Sequence, residues 1–129
     1  MLGMIIPDFP NPIYACIIHG AEDQAAHEGY NLLVYSMKQE GLENSYISPL
    51  FEGRIEGLLI ANSQLGNKEI LDLKKPKNPF ILVNRHVPGL ENYVIADDVL
   101  GGKLDTKHLA EQGHYLIAHI SGHYLQEPN

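Results

Sequence analysis

The run Leu2-Gly3-Met4-Ile5-Ile6-Pro7-Asp8-Phe9-Pro10-Asn11-Pro12-Ile13-Tyr14, continued to Ser36, decides the fold of this 129-residue chain. Leu2 to Ile6 is an apolar run of strand length, closed by Pro7. Beyond the loop, Ile13, Ile17, Ala21 and Ala25 recur every four residues, which places them on one face of a helix. Tyr30 to Tyr35 is a second apolar run, entered through Gly29. Strand, helix and strand in that order form a crossover unit whose two strands are parallel. The loop then lies at the carboxyl end of the first strand, where open α/β sheets bind ligands. Prolines 7, 10 and 12 stiffen it, Asn11 suits the helix N-cap, and Pro12 suits the first helical position. With Phe9 and Tyr14 adding aromatic faces, the loop is expected to form the first wall of a small-molecule site.

The same alternation continues downstream. Gln39 to Arg54 carries Leu42, Tyr46, Ile47, Leu50 and Phe51 at helical spacing, with Pro49 set to kink or shorten the helix. Ile55 to Ala61 reads as a third strand, and Leu65 to Lys75 as a short helix closed by Pro76. Pro79 to Asn84 reads as a fourth strand and Tyr93 to Ala96 as a brief fifth. Asp97 or Asp98 opens a helix with Leu100, Leu104, His108 and Leu109 on one face, ending at Gly113. Leu116 to Ile120 reads as a sixth strand. These runs are continuous and apolar rather than alternating, as when both faces of a sheet are covered. The expected fold is α/β, a doubly wound and mostly parallel sheet.

Composition narrows the function. A hydrophobic content of 44% and a charged content of 19% describe an ordinary globular domain. The formal charge is -7, and the only arginines are Arg54 and Arg85. Phosphate contact needs clustered Lys and Arg, so nucleic-acid binding by this segment itself is not expected. Lys74-Lys75-Pro76-Lys77 reads as a solvated helix end. Cys16 is the single cysteine, which excludes an intrachain disulfide or a thiolate zinc site; it is expected as a small buried residue of the first helix. No secretory signal or membrane span is visible, and a cytoplasmic location is expected.

Catalytic and cofactor motifs find no footing. A Gly-rich dinucleotide fingerprint and a P-loop are both missing, and Gly101-Gly102 inside a helix reads as an allowance for close packing. His108, His114, His119 and His123 match no metal spacing, and Asp97-Asp98 reads as a helix cap with a favourable dipole. No Ser sits in a nucleophile elbow. The expectation is a binding protein without cofactor, metal or enzymatic activity. The binding candidates follow the strand ends: Phe9, Asn11 and Tyr14, then Asn62 and Ser63, then Asn84, Arg85 and His86, then Asp97. Amides, a guanidinium and aromatic faces on one sheet edge suit a polyhydroxylated ligand such as a sugar.

The opening block through Tyr14 resembles the start of the effector-binding core of LacI/GalR-type transcriptional repressors. So do Ile55-Glu56-Gly57-Leu58-Leu59-Ile60-Ala61, the run from Pro79 to His86, the helix with Asp97, Gly101, Gly102, His108 and Leu109, and the block from Gly113 to Gly122. The resemblance spans essentially the whole chain. It implies one incomplete lobe of a periplasmic-binding-protein-like fold over residues 1–122. Residues 123–129 would form a truncated connection toward a second lobe. Family members close two such lobes on an effector, often a sugar or nucleobase, and reach operator DNA through a helix-turn-helix domain that is missing here. Homodimerisation is implied as well. By position, Asn11, Tyr14 and Ile17 match the effector-facing first loop and helix, and Asn84 falls where an Asp or Asn often touches ligand, with Arg85 beside it. Phe9 and Asn62 complete the candidate set. Asp105 and Tyr115 depart from the family pattern, where a small residue and an Arg are usual. The competing expectation is a periplasmic sugar-binding protein of an ABC-type transporter.

Overall fold

The computed structural model describes residues 1–7, 11–37, 53, 55–61, 66–73 and 79–121. Contacts divide the chain into two compact units, Met1–Val94 and Ile95–Asn129. The first holds β1 (Leu2–Pro7), α1 (Pro12–His27), β2 (Leu32–Met37), β3 (Gly57–Ile60), α2 (Asn67–Asp72), β4 (Phe80–Val83) and β5 (Tyr93–Val94). Its sheet runs in the order β2-β1-β3-β4-β5, and every neighbouring pair is parallel. The expected parallel α/β sheet is therefore present. The helix expected over Gln39–Arg54 and the lysine cluster at 74–77 fall almost wholly outside the described residues.

One register level crosses all five strands. Ile5 pairs with Tyr35 and with Ile60, Ile60 with Leu82, and Leu82 with Tyr93. Paired residues share a face of the sheet. On that face Ile5, Leu58, Ile60 and Leu82 join Ile70, Leu73, Val87 and Leu90 in a buried cluster, with Tyr35 and Phe80 packed against it. Each fully buried side chain of this size contributes roughly 1.5–3 kcal/mol. Gly3 permits close approach at the centre of the sheet, because a Cβ there would stand 3.0 Å from Leu58 Cδ1 and 3.3 Å from Ile55 Cγ2.

Helix α1 starts as its sequence dictates. The Asn11 side chain accepts a hydrogen bond from the Ile13 N–H at 3.1 Å, and Pro12 occupies the first turn. Ala25 is buried, while Tyr14, Ile17, Ile18 and Ala21 are half-buried on the same side. Cys16 corrects an expectation: it is exposed. At 100° per residue it stands half a turn around the helix from Ala25, so it faces away from the buried side.

The second unit holds α3 (Asp98–Glu111). Asp97 caps it, its carboxylate accepting from the Leu100 N–H at 3.0 Å. Gly113 follows with φ +91, the left-handed conformation that suits glycine just past a helix end. The helix buries no residue. A Cβ added at Gly101 or Gly102 would meet nothing within 4 Å, so the close-packing role expected of this pair is not found. The sixth strand is a further correction. Residues 114–121 form neither helix nor strand, and Leu116 and Ile120 are 99% and 96% exposed. A strand needs a neighbour to pair its N–H and C=O groups, and no described strand pairs with this segment. Among the described residues the sheet has five strands, not six.

Candidate functional site

All five strands run the same way, so their carboxyl ends lie along one edge of the sheet. From β1 the chain crosses to β2 on one side, and the following strand, β3, pairs on the other side of β1. The order thus reverses between β1 and β3, and a crevice at such a reversal is where open α/β sheets take ligands. Pro7 and Asn84 stand two residues beyond the shared level of Ile5, Ile60 and Leu82. The loop into α1 and the loop after β4 therefore leave the sheet at the same edge. Asn11 and Tyr14 lie at the start of α1 and Ile17 one turn further on; Asn84 and Arg85 follow β4 directly. Phe9 and Asn62 lie outside the described residues.

The segment after β4 is firmly held. Asn84 has φ +57, and among non-glycine residues asparagine is one of the few that accept this left-handed conformation. Its N–H donates to the Val94 carbonyl at 2.8 Å, which ties the turn to β5. The exposed Asn84 side chain stands at the end of the strand, and the backbone reversal redirects the residue that follows it. That residue, Arg85, is half-buried, and its Nη2 donates to Asn67 Oδ1 at 2.9 Å. The His86 ring lies 4.3 Å from the Tyr93 ring at an angle of 50°. Val87 and Leu90 anchor the same segment in the core, and Asn92 Nδ2 donates to the Phe80 carbonyl at 2.7 Å. Sequence reasoning missed Asn67; the one available signal was its place at the start of the helix that follows β3.

Tyr14 is half-buried against the sheet side of α1, and this burial pushes its phenol above the ordinary range, so it stays neutral at physiological pH. It offers an aromatic face with a hydroxyl at one end. Asn11 has a structural task as well, since its side-chain oxygen is the α1 cap. Asp97 likewise spends its carboxylate on the α3 cap. Among the described residues, no three or more His, Cys, Asp or Glu side chains gather as a metal site would require, and no helix is long and apolar enough to cross a membrane. Two open cavities, of about 250 and 330 Å³, lie at the opposite edge, by the amino ends of the strands near Leu2, Gly57 and Pro79 or near Leu2, Tyr30 and Leu32. Their apolar linings do not match a hydroxylated ligand.

A parallel sheet that reverses its order at β1, with amides, a guanidinium and an aromatic hydroxyl on its carboxyl edge, defines one lobe of a ligand-binding α/β protein. Residues 1–124 match the family described as periplasmic binding proteins and sugar binding domain of the LacI family, and the chain belongs to that family. It is 32% identical over 123 residues to the ribose operon repressor of Halalkalibacterium halodurans, covering 95% of this chain and 36% of that protein. Its fold is similar to the crystal structure of a LacI family transcriptional regulator from Mycobacterium smegmatis, with a TM-score of 0.82 and 29% identity over 98% of this chain and 46% of that one. A LacI family transcriptional regulator from Enterococcus faecium with bound ribose gives a TM-score of 0.70 and 29% identity, over 88% of this chain and 42% of that one. The chain therefore spans little more than a third of the length of the curated relative, and less than half of each solved structure. The family read from the opening block and the later motifs is the family found.

Proposed function

We propose that this chain is the effector-sensing N-terminal lobe of a LacI/GalR-type transcriptional regulator, and that it contributes half of a cleft for a sugar or a related small molecule. Phe9, Asn11, Tyr14, Ile17, Asn62, Asn84 and Arg85 are the proposed contacts. The observation that carries the reading is the shared edge: the left-handed turn at Asn84 delivers an amide and Arg85 to the side of the sheet where α1 begins with Asn11 and Tyr14. Amides both donate and accept, a guanidinium donates, and an aromatic ring covers the apolar face of a sugar. The two ribose-related proteins above support a sugar over other effectors. That one is a repressor and the other a transcriptional regulator supports this reading over a transporter component.

In this account the effector binds between two lobes and favours one relative orientation, which a DNA-binding domain elsewhere in the protein reads out. The work is binding, not catalysis, and it takes place in the cytoplasm, in a homodimer. Calorimetry on the full-length protein with D-ribose, D-galactose, D-glucose and hypoxanthine tests it. One sugar should bind, and Asn84→Ala should weaken it about tenfold, or ~1.4 kcal/mol. Unchanged affinity removes Asn84 from the site, and failure of every sugar removes the sugar reading. The 129-residue chain alone should give no specific operator shift in a gel, because its charge is -7 and its one small basic cluster, Lys74-Lys75-Pro76-Lys77, reads as a solvated helix end.

A further inference from the structure

We propose that Asn67 is the positioning residue that aims the Arg85 guanidinium along the carboxyl edge of the sheet; the ligand-binding part of this proposal rests on the effector-site reading above. The two residues lie on separate elements. Asn67 opens α2, which follows β3, and Arg85 follows β4, the strand paired with β3. Their link is the part-buried hydrogen bond from Nη2 to Oδ1 at 2.9 Å. Both ends are fixed from below. Ile70 of α2 is wholly buried and Leu73, just past it, is 4% exposed, so the start of α2 has little freedom over the sheet. On the other side Asn84 is held by its bond to Val94, and Val87 is wholly buried. The left-handed backbone at Asn84 breaks the in-and-out alternation of β4 and turns Arg85 toward α2.

The chemistry of the partner matters. An arginine side chain loses rotamer freedom when it is ordered, and a planar guanidinium recognises oxygen acceptors only in a defined orientation. A fixed acceptor settles that orientation before ligand arrives, which lowers the ordering cost of binding. Asn67 does so as a neutral carboxamide. Its Oδ1 holds one edge of the guanidinium, a task that a carboxylate oxygen at the same position can also perform.

Three variants of the full-length protein test this: Asn67→Ala, Asn67→Asp and Arg85→Ala, with the double variant Asn67→Ala/Arg85→Ala. In crystals grown without sugar, the Arg85 guanidinium should leave its position or split into several conformers in Asn67→Ala, and keep its place in Asn67→Asp. An unmoved guanidinium in Asn67→Ala overturns the proposal. In calorimetry with D-ribose, Asn67→Ala should bind about tenfold more weakly than the unaltered protein and Asn67→Asp should recover most of that loss. Arg85→Ala should weaken binding by more, and adding Asn67→Ala to it should change nothing further. A full additional loss in the double variant means that Asn67 acts independently, which overturns the proposal. If the guanidinium moves as expected but Arg85→Ala leaves ribose affinity unchanged, the effector-site role of Arg85 fails while the orienting link itself stands.

Discussion

Helices α1 and α3 begin alike and differ in everything that follows. Each is opened by a short polar side chain that accepts from a backbone N–H within the first turn, Asn11 from Ile13 and Asp97 from Leu100. Each ends just before a glycine with positive φ, Gly29 and Gly113. Yet α1 turns a half-buried face with Ala25 at its centre, and the chain after it enters β2, paired along its length with β1. Helix α3 buries nothing, and the chain after it forms no strand. The start and stop of a helix are thus written in a few adjacent residues, whereas burial and strand pairing depend on what the rest of the protein supplies.

The largest expected effect sharpens this contrast. Ile60 is wholly buried in β3, and Ile60→Ala should cost about 2–5 kcal/mol. Leu104, 55% exposed on α3, should lose less than about 0.5 kcal/mol when changed to Ala. Urea unfolding of the two variants checks both. Equal losses would mean that α3 buries its apolar face as α1 does, and the contrast would fail.

Next come the caps, where the two helices should behave alike. Asn11→Ala and Asp97→Ala should each destabilise their helix by roughly 1 kcal/mol, seen as faster amide exchange in the first turn. A loss at Asn11 alone would show that the local signal needs packing behind it. The smallest effect concerns Tyr14. Its folded-state pKa is raised by burial, so the neutral phenol is the form that folding favours. The associated stability is fully present below about pH 10, the unfolded value, and is lost as pH climbs through the folded value. Tyr14→Phe should therefore lose less stability than the unaltered protein across that alkaline window, measured by melting temperature against pH.

How much was legible follows the same division. The apolar runs at Leu2–Ile6, Ile55–Ala61 and Pro79–Asn84 sit between proline, glycine and polar breaks; β3 and β4 form within the last two, and β1 runs one residue past the first, through Pro7. The crossover at the start implied parallel pairing, which the register bears out. Cys16 was misplaced because its expected burial came from residue type, whereas its position half a turn from Ala25 turns it away from the inner face through Tyr14, Ile17, Ile18, Ala21 and Ala25. Leu116–Ile120 has the composition of a strand, but composition cannot supply the neighbour that makes it one. The Asn67–Arg85 bond joins residues 18 apart on different elements, and no local pattern marks it. Asn84 carried a faint signal, since asparagine at a strand end accepts a left-handed turn.

The most direct test is a crystal structure of the full-length protein with the sugar that binds it most tightly in calorimetry. The account predicts sugar oxygens within hydrogen-bond distance of Asn84 and Arg85, with the Tyr14 ring beside the same molecule. A sugar seated at the amino-end cavities, or anywhere that leaves Asn84 and Arg85 without a ligand contact, would contradict it.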